Sequence, residues 1–190
     1  MKISTLLLLL AMGCNKTTPA ATPADLQPGD PVPSQKTDVP AEHERLHSLL
    51  SAWHPEDLPD HDALVANGAP EGLVWIASND EMLVMRERAL LLLRHFPQDN
   101  ALCRQTFGTP DAHAKLRAAS IRCLASVDLS EDATLRNQLL GDLRDPDPRV
   151  GTAVVTVLAE VPAARSGLEA ALEDEGIQGP VREALESAVK

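Results

Sequence analysis

Four five-residue segments of this chain superpose on one another: Met85-Arg86-Glu87-Arg88-Ala89, Leu116-Arg117-Ala118-Ala119-Ser120, Val150-Gly151-Thr152-Ala153-Val154 and Val181-Arg182-Glu183-Ala184-Leu185. Their starts are separated by 31, 34 and 31 residues. Eight positions after each of the first three starts stands a leucine (Leu93, Leu124, Leu158), and three further on stand Phe96, Val127 and Val161. A fixed period between about 20 and 50 residues marks a unit that cannot bury its own apolar face and is completed by its neighbours. The chain is therefore predicted to be all-α, an α-solenoid of about four helix pairs.

Apolar residues recur at helical spacing, as in Leu83, Val84, Leu90, Leu91 and Leu93, or in Leu135, Leu139, Leu140 and Leu143. The run Val154-Val155-Thr156-Val157-Leu158 is rich in β-branched residues, yet it lies within a longer helical period between Pro148 and Pro162, so it too is predicted to be helical. Breaks fall at Pro97, Gly108-Thr109-Pro110, Asp128 to Ser130, Asp145 to Pro148, Pro162 and Gly179-Pro180. Short helices joined by tight breaks pair antiparallel. Residues 41–190 form the body, with 41–79 as irregular N-terminal helices.

An Asp-rich turn, an apolar-Arg pair opening a helix, small Ala residues within it and a Leu near its end together resemble the short bacterial HEAT-like repeat. Asp145-Pro146-Asp147-Pro148-Arg149-Val150 is the nearest match to the turn. The third unit departs, since Arg149 precedes the apolar position and Gly151 stands where the other units carry Arg. The resemblance implies a repeat domain over about 80–190. Ala89, Ala119, Ala153 and Ala184 are small enough to let neighbouring helices approach, and Asp145 or Asp147 can cap a helix. Arg86, Arg117 and Arg182 are expected to hydrogen-bond carbonyls or Asp carboxylates of the adjoining turn.

The N-terminus carries an address. Lys2 precedes an apolar run, Leu6 to Ala11, too brief to span a ~30 Å hydrocarbon core, as in a secretion signal. It ends in Leu10-Ala11-Met12-Gly13-Cys14, which resembles the lipobox of bacterial lipoproteins. That resemblance implies residues 1–13 as a signal peptide, cleavage after Gly13, and Cys14 carrying diacylglycerol on sulfur and an acyl chain such as palmitate on its amine. Such an anchor holds a protein on a bilayer without spanning it. Asn15, in place of the Asp that retains some lipoproteins at the inner membrane, points to the outer membrane of the cell envelope. Residues 14–40 hold the lipidated Cys and a tether whose six prolines (19, 23, 28, 31, 33 and 40) preclude a core. As polyproline II the tether would reach ~80 Å.

Composition removes one class of partner. With a net charge of −11, no Tyr and 2% aromatic residues, the chain lacks the basic stripe and stacking aromatics that nucleic-acid binding needs. Three constellations have chemical readings. His43-Glu44-Arg45-Leu46-His47 matches H-E-x-x-H, which on a helix can present two imidazoles to zinc with the Glu as general base. No third His follows at the extended spacing, where Leu50 and Trp53 stand. A looser metal site would add His54 or His61. Cys103 and Cys123 are the thiols left beside Cys14, and export permits either a disulfide or two buried apolar cysteines. Glu169, Glu173, Asp174 and Glu175 form a solvated face, with calcium the alternative.

These features predict a noncatalytic, membrane-anchored protein that binds another protein and needs no cofactor. The alternative is a zinc-binding protein or metallopeptidase centred on His43 and His47.

Overall fold

A computed structural model describes residues 38–52 and 59–190, and every regular element among them is helical. The signal segment, Cys14, His54 and nearly all of the tether lie outside the described residues. Three helices lead the chain: α1 (Glu44–Ala52), α2 (His61–Ala66) and α3 (Glu71–Asn79). They are followed by α4 (Leu83–Leu92), α5 (Ala101–Phe107), α6 (Ala114–Cys123) and α7 (Ala133–Gly141). The last are α8 (Pro148–Leu158), α9 (Arg165–Leu172) and α10 (Gly179–Ala188). Among the described residues, no helix is long and apolar enough to cross a membrane.

Local chemistry sets the helix starts. The first turn of a helix leaves backbone N–H groups without partners, and a short acceptor side chain can take one. Asp60 accepts from Ala63 N at 2.7 Å, Asp132 from Leu135 N at 2.9 Å and Asp147 from Arg149 N at 3.0 Å. Asp147 thus caps α8, and Asp145 accepts from Asp147 N at 2.8 Å one step upstream. Pro148 sits in the first turn, where its missing N–H removes no helical bond. Gly179-Pro180 likewise opens α10, with Gly179 at φ +60°. The β-branched run Val154 to Leu158 lies wholly within α8.

The four superposed segments each begin on an even-numbered helix, and those helices pack in sequence. α4 lies against α6, α6 against α8, and α8 against α10, while α3 covers α4, α5 covers α6, and α9 contacts α10. The first apolar position of each unit (Met85, Leu116, Val150, Val181) is at most 5% exposed, and Leu93, Leu124 and Leu158 are fully buried. Burying side chains of this size stabilises by about 1.5–3 kcal/mol each. The buried apolar residues form one continuous cluster from Leu46 to Leu185.

Two departures from strict repetition have physical reasons. Ala119 and Ala153 are fully buried and Ala184 half-buried at the edge of the core, but Ala89, also fully buried, stands one position later in its segment. Its register equivalent is Arg88, whose Nη1 donates to the Leu50 carbonyl at 2.5 Å. Here the neighbour is α1 rather than another repeated helix, and a long guanidinium reaches across to it. At Gly151, a Cβ would lie 2.8 Å from Val181 Cγ2 and 3.2 Å from the Leu143 carbonyl oxygen. The missing side chain is what lets α8 and α10 meet.

Candidate functional site

The repeated arginines do two different things. Arg86 Nε donates to the Ala77 carbonyl at 2.9 Å, and Arg182 donates to the carbonyls of Leu172 at 2.8 Å and Ile177 at 3.1 Å. Both reach back to the end of the preceding segment, where carbonyls lack helical partners. Arg117 reaches forward, from Nη2 to Asp142 at 2.8 Å and from Nη1 to Asp145. Burial raises the Asp142 carboxyl above its usual range, and the Arg117 guanidinium opposes that shift.

Three aspartates share one design. Asp80, Asp145 and Asp174 each accept, through one oxygen, from the backbone N–H two residues on (Met82, Asp147 and Gly176) at 2.8, 2.8 and 2.9 Å. The other oxygen takes a cationic or imidazole side chain from far upstream: His47 at 2.9 Å, Arg117, and Arg144 at 2.5 Å respectively. A single side chain therefore shapes a turn and ties it to an earlier segment. Asp174, first through the Gly176 N–H and then through Arg144, is held below the usual carboxylate range. It is an integral turn residue, whereas Glu173 and Glu175 are exposed and Glu169 pairs with Arg165 at 3.1 Å.

The H-E-x-x-H residues face separate partners. His43 lies just ahead of α1, its ring centroid 5.5 Å from that of Trp75, and His47 within α1 bonds to the buried Asp80. Glu44 is exposed in the first turn of α1. His61 lies with its ring 5.0 Å from Phe96. Among the described residues, no group of three or more His, Cys, Asp or Glu is placed to hold a metal ion. Cys103 on α5 and Cys123 at the end of α6 are joined by a disulfide, with Cα atoms 6.3 Å apart and both residues fully buried.

One surface groove combines apolar walls with charged side chains of both signs. It has a volume of about 420 Å³ and lies where the end of α6, the loop at 127–130 and the end of α8 converge. Val127 and Val161 occupy the same place in successive units, and both line it, with Val157 beside them. In the first unit that place is held by Phe96, which is buried. Arg94, just after α4, Arg122, near the end of α6, Asp128 and Glu160 all line it. His95, next to Arg94, has its pKa pushed below 6.5, first by burial and then by Arg94 and His61.

Helical periodicity did not disclose this groove. Arg94 and Arg122 occupy different positions within their units and come to line one groove because α4 and α6 pack side by side. The one signal in the sequence was the change from Phe to Val at the eleventh position after each start. No family model matches the chain, and no curated protein or solved structure matches it either.

Proposed function

We propose that this chain is a noncatalytic, protein-binding lipoprotein of the bacterial cell envelope, anchored through Cys14 to the outer membrane. Its body is an α-solenoid of about four antiparallel, HEAT-like helix pairs. One observation carries the reading: α4, α6, α8 and α10 pack in succession at the spacing of the repeated segments, with register-equivalent residues buried in each. A row of such units offers an extended surface, and extended surfaces suit macromolecular partners. The imidazoles of His43 and His47 are engaged with Trp75 and Asp80, which supports a structural rather than hydrolytic use.

The test is crosslinking of the native protein in cells, followed by identification of what is joined to it. A defined envelope protein, absent when residues 41–190 are deleted from an otherwise intact anchor and tether, is the expected result. Recovery of the same proteins with anchor and tether alone would overturn the binding role. Metabolic labelling with palmitate, lost in Cys14→Ser, is expected for the anchor, and persistent membrane association of that variant would exclude it.

A further inference from the structure

We infer that α5 is a cover latched by the bond between Cys103 and Cys123, and that reduction of this bond by a dithiol releases residues 97–112 from α6 while the row α4, α6, α8 and α10 stays folded. The inference is independent of what the body binds.

The way this segment is held carries the inference. Of residues 97–112, only Cys103 and Phe107 are buried. α5 packs chiefly on α6, and a cavity of about 680 Å³ opens between it and the preceding pair, lined by Leu102 and Thr106 of α5 and by Ser78 and Arg86 of α3 and α4. Arg104 pairs with Asp132 at the start of α7 at 3.0 Å, but the two side chains are 41% and 30% exposed, and water weakens such pairs. Among the described residues, no backbone hydrogen bond links 97–112 to another helix. Breaks hinge the segment at both ends, with short 3-10 turns around Pro97 before it and Gly108-Thr109-Pro110 after it. A helix of seven residues does not persist alone in water, so α5 melts once it is off α6.

The surface beneath the cover is suited to being uncovered. Leu116, Ser120 and Cys123 fall at helical spacing on α6; Cys123 is bonded to α5, and Leu116 lines the same cavity as Leu102. Ser120 between them is a fully buried hydroxyl residue, and its Oγ donates to the Leu116 carbonyl at 2.8 Å, a bond internal to α6 that outlasts the loss of α5.

The exchange balances. One thiolate of the dithiol attacks a sulfur of the bridge, forming a mixed disulfide and expelling the other cysteine as a thiolate, which takes a proton. The second thiol of the reductant, losing its proton, displaces the remaining cysteine. Two electrons pass from the dithiol, which leaves as its own disulfide, and the protein keeps two thiols. Both cysteines are fully buried, so attack waits on the lifting of α5, and the rate of reduction reports how often that happens.

The test is reduction of the full chain with dithiothreitol in native buffer, followed by hydrogen exchange read by mass spectrometry. Peptides spanning 97–112 are expected to exchange at least tenfold faster after reduction and to regain protection on reoxidation, while α8 and α10 change less than twofold. A second measurement times the reduction itself. Phe107→Ala is expected to speed it at least fivefold, and Leu168→Ala, which removes a buried side chain from α9, less than twofold. Equal acceleration by the two would show that the bond is reached only through global unfolding and would overturn the inference. So would unchanged exchange in 97–112 after complete reduction, a uniform rise along the chain, or a bridge that resists dithiothreitol until denaturant is added.

Discussion

Arg117 donates to Asp145 across 28 residues, from the first turn of α6 to the turn that opens α8, and the same guanidinium also holds Asp142. The Arg117 side chain is 11% exposed and that of Asp145 6%, so the pair is largely screened from water. Removing one partner of such a pair leaves the other charge buried alone, at a cost of about 3 kcal/mol. Arg117→Ala is therefore expected to lower the melting temperature and to push the Asp142 carboxyl higher still. Thermal unfolding and an NMR titration of Asp142 check the two effects. Arg117→Met/Asp142→Asn/Asp145→Asn is expected to recover most of the loss, because no charge is stranded and an amide oxygen at position 145 can still accept from Asp147 N–H.

Close helix approaches yield a paired prediction at two glycines, Gly151 between α8 and α10 and Gly167 between α9 and α7. At Gly151 the obstacles to a Cβ are Val181, a stiff β-branched side chain, and the Leu143 backbone, so Gly151→Ala is expected to destabilise by about 1–3 kcal/mol. At Gly167 the obstacle is the end of the half-buried Leu140 side chain, which can swing aside. Gly167→Ala is expected to be neutral or to stabilise by up to ~1 kcal/mol through helix propensity. Denaturant unfolding of the two variants would discard this account if Gly151→Ala proved the more stable.

The disulfide closes a segment of sequence separation 20. Cross-linking over that span reduces the entropy of the unfolded chain, so Cys103→Ala/Cys123→Ala is expected to lose about 3 kcal/mol. Since both sulfurs are buried, alkylation of the native protein should be negligible, and in denaturant it should require reductant. Equal alkylation of the unfolded chain with and without reductant would refute the bond.

Acid should weaken the fold in two stages. The His95 pKa is depressed in the folded state, so its contribution is complete above 6.5 and is lost as pH falls through the lower folded value. His95→Gln is expected to flatten stability over that interval. Asp147 is held at about 2, foremost by its hydrogen bond to Arg149, so its contribution is complete above the usual carboxylate range and disappears as pH falls toward 2. Melting temperatures measured against pH for the parent and for Asp147→Asn separate the two stages.

The helical class of the fold was legible because the apolar residues recur at a helical period and the breaks are marked by Pro, Gly and Asp. The positions of Met85, Leu116, Val150 and Val181 could be matched by spacing alone, since burial at a repeated position demands an apolar residue there. Ala89 showed the limit of that method: an alanine one place out of register looks the same in sequence, and only the presence of α1 explains why Arg88 takes its place. His47 and Asp80 were equally opaque as a pair, because 33 residues and no shared motif separate them. Arg94 and Arg122 line one groove from different positions in their units, a juxtaposition that no local pattern of residues can express.

The bond between Cys103 and Cys123 has a mechanical consequence. A pull on the two ends of the chain passes through the sulfur bridge, and the residues between the cysteines stay slack even after every helix has melted. With a separation of 20 residues, roughly 70 Å of contour is thereby withheld from extension. The protein would come to full stretch short of its covalent length, with residues 104–122 still held in a closed loop.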